Sequence, residues 1–199
     1  MSIRFSLPTL IIAVFILLTG CAGKYPRLEV IAPLPESPRC RVAILPFTYQ
    51  GDYPRGENIF YKAFIAEMAA VPGFDVVAEG DVLQMYKQFR LFPKDQLNEE
   101  QMRILAQRLG AETLVLGDIL RMNEFDSVNE VSTELTLVLN LYAGASGKLL
   151  WSTYHKRRGD EYRNVLHYGR VNSMSGLARR MANEVITLWI ENGMKQCTQ

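Results

Sequence analysis

The chain has 199 residues, with 22 basic and 21 acidic side chains and a formal net charge of +1. Residues 1–20 contain one basic residue, Arg4, and no acidic one, so the rest of the chain carries 21 charges of each sign. A neutral chain gives no electrostatic reason to expect a nucleic-acid partner. About 180 residues are enough for one domain of ordinary size.

The N-terminal segment is predicted to be a lipoprotein signal peptide over residues 1–20. Arg4 precedes an apolar run over residues 7–18, which is too short for a membrane-spanning helix. The run ends in Leu-Thr-Gly-Cys, a lipobox pattern in which cleavage follows Gly20 and the thiol of Cys21 takes a diacylglyceryl group. The alternative is that Cys21 stands by chance beside an ordinary cleavage site. Acyl chains on Cys21 would hold the protein on a membrane, outside the cytoplasm.

Residues 21–39 are predicted to form a lipidated, proline-rich tether, and residues 40–199 to form the domain. The prolines in the tether remove amide donors and favour extended chain. They are Pro26, Pro33, Pro35 and Pro38.

Cys40 and Cys197 are the two cysteines that remain after Cys21. An exported chain can form disulfides. Cys40 comes before the first predicted strand of the domain and Cys197 follows the last predicted helix, so a bridge would tie the two ends of the domain together. In the chain-entropy model, the long loop that it closes would stabilise the fold by roughly 4–5 kcal/mol. The alternative is two free thiols, whose separation the sequence does not show.

Hydrophobic periodicity predicts five strands and four helices in the domain. The predicted strands cover residues 41–47, 74–78, 113–120, 131–143 and 148–157. The predicted helices cover residues 58–71, 81–90, 98–109 and 164–192. Asn98 and Gln101 match a capping box at the start of the third helix. The strand over 131–143 has the clearest pattern, because alternating apolar and polar residues predict one buried face and one exposed face.

The predicted order of elements is β-α-β-α-α-β-β-β-α. Helical crossovers early in the chain favour parallel strands, and the hairpin turn at residues 144–147 favours antiparallel strands later. The expected fold class is therefore α/β, with a single mixed sheet and flanking helices.

The sequence has no convincing catalytic, cofactor-binding or metal-binding constellation, and we expect neither enzyme activity nor a cofactor or metal. Residues 144–148 resemble a phosphate-binding loop, but they lack its spacing and join two strands. His155 and His167 are expected to be ordinary surface or partly buried residues. Asp118 interrupts an apolar strand; we expect it to be exposed or bound by backbone donors, and the alternative is a buried functional acid.

Three aromatic residues at and after the end of the first predicted strand are candidates for an interaction site: Phe47, Tyr49 and Tyr53. Loop aromatics anchor protein contacts or the membrane interface. They also serve as packing lids over a core, and the sequence favours neither interpretation.

Three segments together resemble the CsgG/PelC/LpoB-like group of bacterial outer-membrane lipoproteins. They are Val-Ala-Ile-Leu-Pro-Phe at 42–47, Leu-Gly-Ala-Glu-Thr-Leu-Val-Leu-Gly-Asp at 109–118, and Ala-Ser-Gly-Lys-Leu-Leu-Trp at 145–151. The resemblance covers nearly all of residues 40–192, including the order of elements. It implies a domain like the N-terminal domain of TolB, and a role in envelope assembly without catalysis.

The resemblance leaves two roles open. One is a homo-oligomeric scaffold or accessory in export, such as polysaccharide export, lying close to the membrane. The other is a monomeric regulator that binds a peptidoglycan synthase, which typically needs a long disordered tether. A tether of about 18 residues spans at most roughly 60 Å, which favours the scaffold. Ala22, following the lipidated cysteine, resembles an outer-membrane sorting signal. We therefore expect an outer-membrane protein that faces the periplasm.

Overall fold

Seven strands and four α-helices account for most of the residues that the structure, a computed structural model, describes. These residues are 26–35, 40–127, 130–164, 168–194 and 197. The strands are β1 (Arg27–Val30), β2 (Arg41–Ile44), β3 (Thr48–Tyr49), β4 (Asp75–Val76), β5 (Thr113–Ser127), β6 (Glu130–Ala143) and β7 (Leu149–Arg158). The helices are α1 (Gly56–Ala70), α2 (Glu79–Phe89), α3 (Glu99–Leu109) and α4 (Met174–Glu191), with a 3-10 turn at Gly159–Tyr162.

The strands form one mixed sheet in the order β1-β7-β6-β5-β2-β4, with β3 beside β5. β2 pairs in parallel with β4 and β5, because α1, α2 and α3 carry the chain back between these strands. β5, β6, β7 and β1 pair in antiparallel fashion. The predicted fold class and the predicted order of elements within the domain are confirmed, with β3 and the 3-10 turn added.

The N-terminal boundary of the domain differs from the predicted one. Residues 27–30, which the sequence assigns to the tether, form β1 and pair with residues 151–154 of β7. Leu28 packs against the core from this strand. A four-residue strand directly after Pro26 has too short a pattern to show itself, and its pairing partner lies more than a hundred residues away. The predicted signal peptide, Cys21 and residues 36–39 lie outside the described residues.

The β5–β6 hairpin is longer than predicted, because β5 continues to Ser127 instead of ending at Leu120. The register shifts between Ile119 and Arg121, which is a β-bulge at Leu120. The bulge restarts the alternation and turns Met122 into the core, where it is 1 % exposed. A break in the two-residue period hides the rest of the strand from pattern analysis.

The last helix is shorter than predicted, because it begins at Met174 and not at residue 164. The Ser173 hydroxyl accepts a hydrogen bond from the backbone N–H of Gly176 and caps the helix. The capping box predicted for α3 is confirmed: Asn98 Oδ1 accepts from Gln101 N at 2.9 Å, and Gln101 Oε1 accepts from Asn98 N at 2.9 Å.

The two faces of the sheet are covered to different extents. On one, the covered face, α1 and α4 bury the strands in the larger core, which includes Phe60, Phe64, Leu135, Leu137, Leu139, Leu141, Val185 and Trp189. On the other, the open face, α2 and α3 pack only over β2 and the start of β5, around Ala43, Val82, Met102, Leu105 and Leu114. Further across the open face, β7 leaves Tyr154, Lys156 and Arg158 exposed.

Candidate interaction site

The structure places Phe47 in the core, which supports the packing interpretation for this residue; its role as a contact residue stays a prediction. Its side chain is 2 % exposed and its ring lies 5.4–5.9 Å from the rings of Phe60, Tyr61 and Phe64. Gly117 on β5 leaves room for the ring, since a Cβ there would lie 2.7 Å from Phe47 Cδ1. The chain therefore continues the buried path of β2 through residue 47 before it reaches the surface.

Tyr49 is half-buried and fastens the loop after β3 to β5. Its hydroxyl donates to the carbonyl oxygen of Met122 at 3.3 Å and accepts from the backbone N–H of Tyr53 at 3.3 Å. Gly51 and Gly56 both lie against the ring, where a Cβ would clash with it. These contacts support the packing interpretation for Tyr49.

Tyr53 is half-buried and lies next to Glu124 of β5. Burial raises the pKa of Tyr53, and its hydrogen bond to the Glu124 carboxylate and the negative charge of that group raise it further. Glu124 also accepts a hydrogen bond from the backbone N–H of Met174, the first residue of α4. Glu124 therefore links the loop, the hairpin and the start of α4.

Both tyrosines line a surface groove of about 640 Å³ between the loop and β5. Its other wall is formed by residues 120–125, with Leu120 and Phe125 exposed. Tyr49 and Tyr53 thus reach one accessible surface, which Phe47 does not share. Their role in contacts with other molecules stays a prediction.

Asp118 lies half-buried on the open face, where it accepts a hydrogen bond from the hydroxyl of Thr48. It lines a polar pocket of about 520 Å³ with Thr48, Gln50, Lys94, Asn140 and Tyr142. Burial raises the pKa of Tyr142, and the nearby Asp118 carboxylate adds to the effect. The pocket offers hydrogen-bond donors and acceptors close to the end of β2. It can bind a polar group, and Asp118 is fixed by a hydroxyl and not by the backbone.

A buried polar cluster on the covered face was not found from the sequence. His155 is 1 % exposed, and its Nε2 lies 2.5 Å from Glu184 Oε2 on α4. Arg157 donates to both oxygens of Glu184, at 3.1 and 3.0 Å. Burial alone raises the pKa of Glu184, but the hydrogen bonds from His155 and Arg157 outweigh it and hold the pKa below its usual value.

The cluster fixes α4 to β7. Tyr162 extends it, because the guanidinium groups of Arg157 and Arg180 lie 5.2 and 5.0 Å from the centre of its ring. The alternation of β7 is the signal that places His155 inward, since it shares a face with the buried residues Trp151 and Thr153. His155 is therefore not the ordinary surface or partly buried residue that the sequence predicts. His167 lies outside the described residues.

Cys40 and Cys197 form a disulfide, with their Cα atoms 5.4 Å apart. Next to it, the backbone N–H of Cys197 donates to the carbonyl oxygen of Gly73, so the end of the chain is also held beside β4. Among the described residues, no group of three or more His, Cys, Asp or Glu side chains could hold a metal ion. No helix in that part of the chain is long and apolar enough to cross a membrane.

Comparison with solved structures supports the fold. No family model and no curated protein sequence matches the chain. A point variant of PelC from Paraburkholderia phytofirmans, crystallised as a dodecamer, superposes with a TM-score of 0.53 at 14 % identity, covering 81 % of this chain and 96 % of that one. A PelC dodecamer in a second crystal form gives 0.52 with the same identity and coverage. Lipoprotein GNA1162 from Neisseria meningitidis gives 0.51 at 17 % identity, covering 76 % and 99 %. The chain therefore has the fold of PelC and GNA1162, as its resemblance to the CsgG/PelC/LpoB-like group implies.

Proposed function

We propose that this chain is a non-enzymatic lipoprotein, anchored through Cys21 on the periplasmic face of the outer membrane. There it acts as an oligomeric scaffold or accessory in envelope export or assembly, and polysaccharide export is the specific role that we favour. One observation carries the proposal. A lipobox stands directly before a domain whose fold matches 96 % of the PelC chain, a protein that was crystallised as a dodecamer.

Glu184 and Asp118 are both bound by side chains of the same domain, which supports a structural role for these two carboxylates. Glu184 is bound by His155 and Arg157, so the charges of the buried cluster hold α4 on the sheet. Asp118 is bound by Thr48 and supports the pairing of β3 with β5. Groups that are engaged in this way stabilise the fold, and a scaffold needs a rigid fold more than a reactive group.

The test compares the native protein with Cys21→Ser and Cys197→Ser variants. In membrane fractionation, we expect the native protein and Cys197→Ser in the membrane fraction and Cys21→Ser in the soluble periplasmic fraction. Mass spectrometry should show added acyl mass on the first two only. Cys197→Ser is the control, because it removes a cysteine outside the lipobox. It also breaks the disulfide to Cys40, so thermal unfolding checks that this variant is folded. Cys21→Ser remaining with the membrane would contradict the anchor.

Light scattering after size exclusion in mild detergent tests the assembly. We expect one discrete oligomer for the acylated protein. A monomer in both the acylated and the Cys21→Ser forms would contradict the scaffold. That result would favour the second role implied by the sequence resemblance, a monomeric regulator of a peptidoglycan synthase, and binding of a synthase domain would then be measured.

A further inference from the structure

The pocket that Asp118 lines lies on the open face of the sheet, and we call it the open-face pocket. Its volume of about 520 Å³ is within the range of small-ligand sites in proteins. On its floor, Leu116 of β5 lies opposite Asn140 of β6. Asp118 and Tyr142 each follow two residues further along these antiparallel strands, so they lie at opposite sides of that pair. The loop that joins α2 to α3 forms one wall, and the chain around β3 forms another.

Three polar groups on this floor have no hydrogen-bond partner within the part of the chain that the structure describes. They are Oδ2 of Asp118, whose Oδ1 accepts from Thr48, the side-chain amide of Asn140 and the hydroxyl of Tyr142. All three side chains are half-buried, and a half-buried polar group gains free energy from a ligand or a water that pairs with it. The pocket therefore offers one carboxylate acceptor and two groups that both donate and accept.

Apolar surface lies between these polar groups. Leu116 and Leu97 line the pocket and pack against the smaller core, and the ring of Tyr142 packs there as well. A sugar ring has the matching chemistry, because its hydroxyls donate and accept hydrogen bonds and its C–H groups form apolar faces. The mixture of polar groups and apolar floor therefore suits a saccharide better than a purely apolar ligand.

The charges around the pocket disfavour an anionic ligand. Asp118, Glu57 and Asp95 contribute three carboxylates, and Lys94 contributes one ammonium group. A phosphate or a uronic acid would be repelled by this excess of negative charge. The three carboxylates do not form a group that could hold a metal ion. A neutral ligand that carries hydroxyl groups fits these constraints.

The position of the pocket within the sheet disfavours an extended peptide. Beside the pocket, β5 pairs with β3 and β6, and β6 pairs with β5 and β7. The backbone groups of both strands are therefore engaged, and a peptide that adds a strand needs a free sheet edge. Recognition in this pocket depends on side chains alone.

We propose that the open-face pocket binds sugar units of a glycan, with Asp118 and Asn140 on the hydroxyls and Leu116 and Tyr142 against the ring. Asp118 and Asn140 are diagonal neighbours across two strands, and such neighbours stand about 7–8 Å apart, so hydroxyls of one ring reach both. The inference deepens the export role proposed above and rests on that role for the choice of a polymer. It names the surface that a transported polysaccharide contacts.

The test titrates four tetrasaccharides into the acylated protein by isothermal titration calorimetry. They are built from glucose, N-acetylglucosamine, glucosamine and galacturonic acid. The detergent has a polyoxyethylene headgroup, because a sugar headgroup would compete for the pocket. We expect saturable binding of the glucose and N-acetylglucosamine oligomers, and binding at least about tenfold weaker for galacturonic acid because the carboxylates repel it. Binding of glucosamine alone, lost at high salt, would identify a cation site and overturn the proposal.

Two variants on the floor locate the binding. Asp118→Asn should weaken binding at least about tenfold, because hydrogen bonds to a charged group are the stronger ones, and the new amide oxygen still accepts from Thr48. Asn140→Ala should weaken binding about two- to tenfold. Ser152→Ala is the matched control, because Ser152 lies opposite Asn140 on β7, half-buried on the same face but outside the pocket. Thermal unfolding checks that each variant is folded. Binding that both floor variants leave unchanged, or that the control weakens equally, would contradict the assignment.

The outcome for the pocket is distinguishable from the outcome for the proposed function. Membrane fractionation and light scattering report the anchor and the oligomer without any sugar present. An anchored oligomer that binds none of the four tetrasaccharides would overturn the glycan site alone. A monomer that binds them through Asp118 and Asn140 would overturn the scaffold and support the site.

Discussion

Alternate residues of the same antiparallel strands form the covered face and the open face, and the two faces have different physical roles. On β6, Leu135, Leu137, Leu139 and Leu141 face the helices and have no exposed surface. On β7, Tyr154 faces the other way and is 42 % exposed. Burial of apolar area is the main source of stability, so the covered face determines whether the chain folds. The exposed side chains of the open face, such as Tyr154, can change without much loss of stability.

The largest expected effect comes from Trp189 on α4. Its ring is fully buried against Phe64, and its indole N–H donates to the hydroxyl of Thr153 at 2.8 Å. Trp189→Ala leaves a cavity and an unpaired hydroxyl, and should lower the free energy of unfolding by about 3–5 kcal/mol. Urea denaturation measures this loss. Tyr154→Ala, the control on the open face, should cost less than about 1 kcal/mol. Equal losses would contradict the division between the two faces.

An intermediate effect is expected at Glu184, in the polar cluster of the covered face. Glu184→Gln removes the charge that pairs with His155 and Arg157, and should lower the free energy of unfolding at pH 7 by about 1–3 kcal/mol. Its folded pKa lies below the unfolded value, so this stabilisation is present above the unfolded pKa of about 4.3 and is lost as pH falls through the folded pKa. The native protein and the variant should therefore converge in stability below a pH of about 4.3.

Urea denaturation at several pH values measures this convergence. Glu100→Gln is the matched control. A hydrogen bond from Arg103 lowers the pKa of Glu100 as well, but this pair is exposed on α3. Solvent screens exposed pairs, so we expect no measurable change in stability. A constant difference between native protein and Glu184→Gln across the acidic range would show that Glu184 acts by packing alone.

The elements that were predicted correctly are those whose environment is local or regular. β6 was found because its alternation runs unbroken over one covered and one open face, and the α3 cap because its partners are three residues apart. β1 was missed because this four-residue strand gains its stability from β7, far away in sequence. The distal half of β5 was missed because the bulge at Leu120 interrupts the period. Each missed element depends on a partner strand that a local pattern does not contain.

The candidate site was harder to predict than the fold, for a related reason. Phe47, Tyr49 and Tyr53 look alike as loop aromatics, but Gly117 on a distant strand makes room for Phe47 in the core. Tyr49 is held by Met122 and Tyr53 by Glu124, both on the part of β5 that the pattern missed. Similarly, His155 gains its buried partner from α4. Residue type does not show which of these side chains faces solvent, because contacts with residues far away in sequence decide it.

The smallest expected losses of unfolding free energy come from removing two helix caps, one on each face of the sheet. Asn98 begins α3 on the open face with two reciprocal hydrogen bonds of 2.9 Å, and Ser173 begins α4 on the covered face with one of 3.3 Å. Asn98→Ala should lower the free energy of unfolding by about 1 kcal/mol, and Ser173→Ala by less, because fewer and longer bonds are lost. Asn98→Ser keeps the cap and should lose little. If Ser173→Ala proved the more costly change, cap strength would follow the burial of the helix behind it, and the larger core would then control stability even at the exposed helix ends.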